Sequence, residues 1–188
     1  MSNNNMMQEI IIPSPQVKNN GRVIYLSGII TEQTALDVNA QLLSFQREDV
    51  MSDITLFIDS YGGELFAAFA IVDMMNIITC DVRTICIGKA MSAGQFIFSS
   101  GAKGKRQMTK HSRLMIHNPI VGYEGSMPDV EVEVEEMMLN RDMFIQHIAN
   151  TSNLDFDEIK DLISRNKYLG YEDAIKYGFA DSLVTKIR

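Results

Sequence analysis

Ser92 is placed where a hydroxyl could act as a nucleophile. The apolar run Val82–Ile87 leads into it, Ala90, Ala93 and Gly94 surround it, and the apolar stretch Ser92–Ser100 follows. Small neighbours let a substrate carbonyl approach, and N–H groups at a helix N-terminus can meet the negative charge that develops on its oxygen. The same hydroxyl would serve as an N-cap with no catalytic part. The lipase-type elbow is not met, because it needs glycine where Ala90 stands. Of the 3 histidines, His111 sits between Lys110 and Ser112 in a polar, loop-like stretch, and His147 falls on the solvated face of a long polar helix. His117 closes the apolar strand Leu114–Ile116 and precedes Asn118-Pro119, a position open to a general base or to a structural histidine alike. The turn Ser60-Tyr61-Gly62-Gly63 offers unhindered backbone N–H groups, as an oxyanion cradle or as a plain turn.

Other chemistries are poorly served. The lysine-containing phosphate loop and the G-x-G-x-x-G fingerprint are absent, as is a His-Glu-x-x-His metal signature. The 2 cysteines, Cys80 and Cys86, lie among apolar residues without metal-like spacing and read as reduced core thiols. With 188 residues, 46% hydrophobic and 22% charged, the chain has the balance of a soluble globular protein able to bury one core. A net charge of −7 argues against a duplex nucleic-acid surface. No apolar stretch reaches the roughly 18 to 20 residues of a membrane span, and no secretory signal is visible at Met1 to Gln8. These features point to a cytoplasmic protein.

The elements that must position these residues follow from periodicity. Residues 1–20, with Asn3-Asn4-Asn5, Pro13 and Pro15, read as a flexible arm, and residues 21–188 as one domain. Strands are expected at Val23–Leu26, Asp53–Asp59, Val82–Ile87, Gln107–Met108, Leu114–Ile116 and Ser182–Thr185, with Gly88–Met91 a tight connection. Thr34 reads as the N-cap of a first helix, and Glu64–Ile78 as a buried one. Asp129–Glu136 alternates valine and acid like a strand. Ser126 as a cap, Pro128 in the first turn and the later apolar period nonetheless predict a helix over 126–151. Short helices at Asp155–Ser164 and Tyr171–Tyr177 complete the chain. Strand and helix in repetition imply α/β architecture with parallel pairing.

Taken together, the segments Ile58–Gly63, Thr84–Gly88, Ala90–Gly94, Gly101–Arg106, Ser112–Pro119 and Ala174–Ser182 closely resemble the proteolytic subunit of the ATP-dependent Clp protease, ClpP. The match runs from about Arg22 to Thr185. The resemblance implies a crotonase-like spiral of ββα units with helix 126–151 as a protruding handle, assembled as two stacked heptameric rings. It makes Ser92 the nucleophile, His117 the base, and Gly63 and Ala93 the oxyanion N–H donors. Gly62, Asn118, Gly122 and Tyr123 would bind an extended substrate peptide as an added strand. Unfolded polypeptides would be fed in by a hexameric Clp ATPase docked near Phe57, Ile77 and Val184. ATP belongs to that partner, and the subunit itself needs no cofactor and no metal.

The chain departs from the family pattern at several positions. Asn166 stands where the family carries the triad aspartate, and Ser164 where an acid usually precedes Arg165. An amide can orient an imidazole but brings no full charge to it. Thr55 and Ile77 replace aromatics of the docking cleft, and Tyr61 replaces a proline. A rival reading is therefore a weakly active or non-catalytic ring subunit that assembles with an active paralogue. An acyl-CoA hydratase on the related crotonase fold is disfavoured, because hydration needs paired carboxylates.

Overall fold

The computed structural model describes residues 21–120 and 122–186, so the expected arm at 1–20 lies outside the described residues. The elements are β1 (Val23–Ile30), α1 (Glu32–Glu48), β2 (Ile54–Gly63), α2 (Leu65–Ile77), β3 (Val82–Met91), α3 (Ala93–Ser99), β4 (Arg106–Met108), β5 (Arg113–Ile116), α4 (Met127–Thr151), α5 (Phe156–Leu162), β6 (Lys167–Leu169), α6 (Tyr171–Lys176) and β7 (Ser182–Leu183). Strands β1, β2, β3, β4 and β7 lie side by side and parallel. Strand β5 also pairs with β3, and antiparallel β6 pairs with β5. This is the α/β, mainly parallel arrangement that the alternation of elements implied.

Parallel strands are covered on both faces and so are built from near-continuous apolar runs. Ile54, Leu56, Phe57 and Ile58 of β2 and Val82, Ile85 and Cys86 of β3 are buried accordingly. Helix α2 is apolar nearly all round because it packs between α1 and α3 and puts Ile71, Val72 and Met75 into the core it shares with the sheet. A single apolar cluster joins Ile24 and Leu56 of the sheet to Ile71, Phe96, Phe98, Phe144 and Phe179. Helix α4 keeps the helical form predicted over its valine–acid alternation. Its second half buries Phe144, Ile145 and Ile148, while Val132, Met138, Leu139 and Met143 stay exposed.

Strand β3 changes neighbours along its length. Thr84–Cys86 pair with Arg106–Met108, whereas Lys89–Met91 pair with Arg113–Met115. The β2 register breaks at the same place: Ile58 pairs with Cys86, then Ser60 with Ala90, so Asp59 alone faces Ile87, Gly88 and Lys89. This is a β-bulge, and it requires glycine at its centre. Gly88 has φ +74°, and a Cβ there would lie 2.8 Å from Asp59 Oδ1.

Four local expectations are corrected, and one strand was not expected. Gly88–Met91 is strand rather than a tight connection, because β5 supplies it with a partner. Ser60–Gly63 is strand rather than turn, because β1 pairs with it up to Gly63. The first helix is capped by Thr31, whose hydroxyl accepts from the Thr34 N–H at 3.3 Å, and not by Thr34. Strand β6 carried no strand signal of its own and exists through its pairing with β5. His147 is half-buried rather than solvated: its ring lies 4.6 Å from that of Phe96, and Nε2 is 2.7 Å from Ser100 Oγ.

Arg106 is 5% exposed and ties four segments together. Its Nη2 and Nε donate to Asp181 at 2.7 and 3.0 Å, and Nη1 reaches the carbonyls of Ser99 and Thr151. Burial works to raise the Asp181 carboxyl, but the hydrogen bonds from Arg106 outweigh it and hold the group below its ordinary 3.8. A carboxylate depressed in this way contributes stability above that pH and loses it as the pH falls through the lower folded value. Asp181→Ala leaves a buried guanidinium unpaired and should cost about 3–5 kcal/mol in chemical denaturation at pH 7. The wild-type advantage should persist at about pH 5 and fade only below about pH 4. A cost under about 1 kcal/mol, the worth of an exposed pair, would contradict this account of the ion pair.

Candidate active site

Two strand ends bring the site together. Met91 of β3 pairs with Met115 of β5, and the Ser92 N–H extends that ladder by donating to Met115 O at 2.8 Å. Ser92 is the next residue after β3 and His117 the next after β5, so parallel register places them side by side at the carboxyl ends of neighbouring strands, where open α/β sheets hold their sites. His117 Nε2 lies 2.8 Å from Ser92 Oγ.

Among the described residues Ser92 is the one non-glycine residue with positive φ, at φ 53° and ψ −122°. Such a backbone is sparsely populated and is retained only where its surroundings hold it. Here the hold is the Met115 carbonyl on one side and the helix on the other, since Gln95 and Phe96 donate to Ser92 O at 3.0 and 3.1 Å. Ser92 thus occupies the N-cap position of α3 through its backbone only. Its hydroxyl makes no cap bond and faces His117 instead, which sets aside the N-cap reading.

Gly62 packs against the back of this turn. A Cβ there would meet Met91 O at 2.7 Å, Ser92 Cβ at 2.8 Å and Ala93 N at 3.0 Å. Buried Ser60 holds the segment in place: its hydroxyl donates to Gly28 O at 2.6 Å and accepts from the Gly62 N–H at 3.0 Å. The Ala93 N–H, at the first helical position, has no acceptor within the helix. Ser92, Ala93, Gly63 and His117 line one cavity of about 660 Å³, closed on another side by Met137, Asn140, Arg141 and Phe144 of α4.

Burial pushes the His117 imidazole below its ordinary 6.5, so the ring is neutral at neutral pH, and the tautomer that carries its proton on Nδ1 can accept the serine proton at Nε2. The β5–β6 ladder ends at Ile116 with Lys167. One further step of that antiparallel register sets Asn166 opposite His117. The Asn166 side chain is exposed and makes no hydrogen bond to the imidazole.

The other singled-out residues are distributed as follows. Tyr123 lines the cavity. Asn118 and Gly122 are exposed, and the Asn118 N–H donates to Ile163 O at 3.2 Å. Phe57 is buried under Tyr25, with rings stacked 5.2 Å apart. Ile77 is exposed at the end of α2, and Val184 is half-buried with its N–H on Met108 O. Cys80 and Cys86 are free and buried, and burial raises the Cys86 thiol to about 12, so the core-thiol reading holds. Among the described residues no cluster of His, Cys, Asp or Glu could hold a metal, and no helix is long and apolar enough to cross a membrane. The wall from α4 was not foreseen as part of the site. Its signal was Asn140, a polar residue one turn before buried Phe144 and itself only 6% exposed.

A mainly parallel α/β sheet thus brings a serine with positive φ beside a histidine from the adjoining strand. The Clp protease family model matches residues 11–187, and the chain belongs to that family. It is 39% identical over 165 residues, 88% of this chain, to the ATP-dependent Clp protease proteolytic subunit 1 of Borreliella burgdorferi and covers 85% of that protein. Identity is also 39% with the ATP-dependent Clp protease proteolytic subunits of Borrelia garinii subsp. bavariensis and Borreliella afzelii, again over 88% of this chain and covering 85% and 84% of theirs.

Two outcomes follow from this geometry. Because the ring must be neutral to take the proton and is depressed from 6.5, reaction of Ser92 with a fluorophosphonate should hold its rate down to pH 6.5 and fall only below it. A midpoint above 7 would contradict the environment described for His117. Gly62→Ala should slow the same reaction by at least about 10²-fold, because its Cβ displaces the serine turn by a distance that catalysis does not tolerate. An unchanged labelling rate would show that the turn yields freely.

Proposed function

We propose that this chain is a serine endopeptidase subunit of a Clp-type ATP-dependent protease, degrading unfolded polypeptides to short peptides. The observation that carries the reading is the contact between Ser92 Oγ and His117 Nε2 at 2.8 Å, made at the elbow beside Gly63 and Ala93. His117 takes the hydroxyl proton as Oγ attacks the peptide carbonyl. The N–H groups of Gly63 and Ala93 receive the developing oxyanion. His117 then protonates the leaving amine, and water hydrolyses the acyl-serine by the same route. Asn166, one register step away and opposite His117, would orient the imidazole once its amide turns to meet the ring, and the segment around Asn118, Gly122 and Tyr123, with Gly62, takes the substrate as an added strand.

The subunit, in this reading, is a single catalytic domain over 21–188 with residues 1–20 as an axial arm. It assembles as two stacked heptameric rings and works in the cytoplasm without its own cofactor. The exposed Val132, Met138, Leu139 and Met143 of α4 support a handle that interlocks rings. A hexameric Clp ATPase supplies the unfolded chain, docking on the surface that includes Phe57, Ile77 and Val184. A second reading has one specific observation in its favour, the Asn166 amide that makes no bond to His117. In that reading the chain is a weakly active or silent ring subunit paired with an active paralogue.

Fluorophosphonate labelling and cleavage of a fluorogenic peptide by the pure protein decide between the two. A Ser92 adduct with turnover that Ser92→Ala abolishes supports the endopeptidase, and the absence of both supports the silent subunit. Asn166→Asp adds a full charge beside a forming imidazolium and should raise turnover near neutral pH. It should also move the acid limb of the pH–rate profile upward, since a nearby anion favours the protonated ring. If neither changes, Asn166 has no part in ordering His117.

A further inference from the structure

The geometry points to Asp59, Lys89 and Tyr61 as positioning residues that clamp the Gly62–Gly63 segment against the serine turn. This inference rests on the peptidase reading above. Two ladder irregularities meet just before the site. Strand β3 carries the extra residues Ile87–Lys89 opposite Asp59. Strand β2 carries Tyr61 as an extra residue against β1, where Gly28 pairs with Ser60 and Ile29 with Gly62. Backbone pairing is therefore interrupted on both sides of the residues that lead into Gly62. Only one β2–β3 pair, Ser60 with Ala90, stands between the bulge and the site.

Side chains bridge the interruption. Lys89 Nζ donates to Asp59 Oδ1 at 2.9 Å and sits 4.2 Å from the centroid of the Tyr61 ring. The ammonium of β3 is thus held between a carboxylate and an aromatic face that both belong to β2 and lie two residues apart. The missing side chain of Gly88 is what lets Asp59 close over the bulge, since a Cβ there would lie 2.8 Å from its carboxylate. The hydrogen bond to Asp59 raises the Lys89 ammonium above its ordinary 10.5, so the cation is permanent. Tyr61 also lines the catalytic cavity with Gly63 and Ser92. Pairs of this exposure add little to stability, whereas a catalytic N–H misplaced by 1 Å costs much in rate. The clamp acts on the oxyanion geometry.

The test compares Lys89→Met, which keeps an apolar stem and loses the charge, with Lys89→Arg, which keeps a cation for both partners. Lys105 serves as the control, since it links Asp53 before β2 to Asp81 before β3, each at 2.8 Å, at the opposite end of the same strand pair. Lys89→Met should lower kcat on a fluorogenic peptide about tenfold with KM unchanged, a fraction of the ~10²-fold loss for a 1 Å misplacement. It should also speed amide hydrogen exchange in the peptide covering residues 58–65. Lys89→Arg should keep both near wild type, and Lys105→Met should move neither. Wild-type kcat and exchange in Lys89→Met, or a loss that Lys89→Arg shares in full, overturns the clamp. If Lys89→Met does not fold, Asp59→Asn is read in the same two assays with the same outcomes. A wild-type protein that cleaves nothing counts against the peptidase reading, while the exchange measurement still decides the clamp.

Discussion

Between Cys86 and Ala90, β3 gives up its backbone pairing with β2 and exchanges β4 for β5 as its outer neighbour. The site depends on that change. Before it, β3 is an ordinary central strand whose Thr84, Ile85 and Cys86 are buried in the sheet. After it, the strand carries Met91 to the level of Met115 and delivers Ser92 beside the end of β5, where His117 begins the next loop. Without the bulge, the residues after Ile58 and Cys86 would stay in step, and Gly62 would pair with Ala90 rather than lie against Ser92. The bulge thus sets how far along β3 the elbow falls, and so which residues face each other across the cavity.

Holding a serine at φ 53° takes structure on every side. The Met115 carbonyl fixes its N–H, the first turn of α3 fixes its carbonyl, and Gly62 closes the rear with backbone where a methyl group would collide. Helix α3 is only seven residues long, too short to stand alone, and is anchored at its far end. There Ser100 donates to Phe96 O at 2.7 Å and meets His147 of α4, while the Phe96 ring lies against both Phe144 and His147. The same helix α4 supplies Met137, Asn140 and Arg141 to the cavity wall. One element therefore both braces the helix that follows Ser92 and shapes the cavity beside it.

Legibility in the sequence followed the range of the interactions. The buried strands and helix α2 are contiguous apolar runs, and α4 kept its helical period despite the valine–acid alternation, so these were visible from local pattern. Ser92 and His117 could be shortlisted from small neighbours and from a strand-end position, but residue types alone left an N-cap serine and a structural histidine standing. Only the register between β3 and β5 brings the two within 2.8 Å. The same reason hid strand β6, the Ser60 hydroxyl bridge and the contribution of Asn140, each of which exists through a partner distant in the chain. The expectation of turns at Ser60–Gly63 and Gly88–Met91 failed instructively, because glycines there serve bulges and close backbone approach within strands rather than chain reversal. Asn166 was singled out through the family pattern alone; one further register step sets it opposite His117, where its side chain makes no hydrogen bond to the ring.

The central claim is that Ser92, activated by His117, becomes covalently acylated by a carbonyl substrate. Pre-steady-state release of p-nitrophenol from an activated ester, with intact-mass analysis of the quenched protein, measures this directly. The account predicts a burst of one equivalent per subunit, an acyl group located on Ser92, and loss of both in His117→Ala. Steady release without a burst, or an acyl group on any other residue, would contradict it.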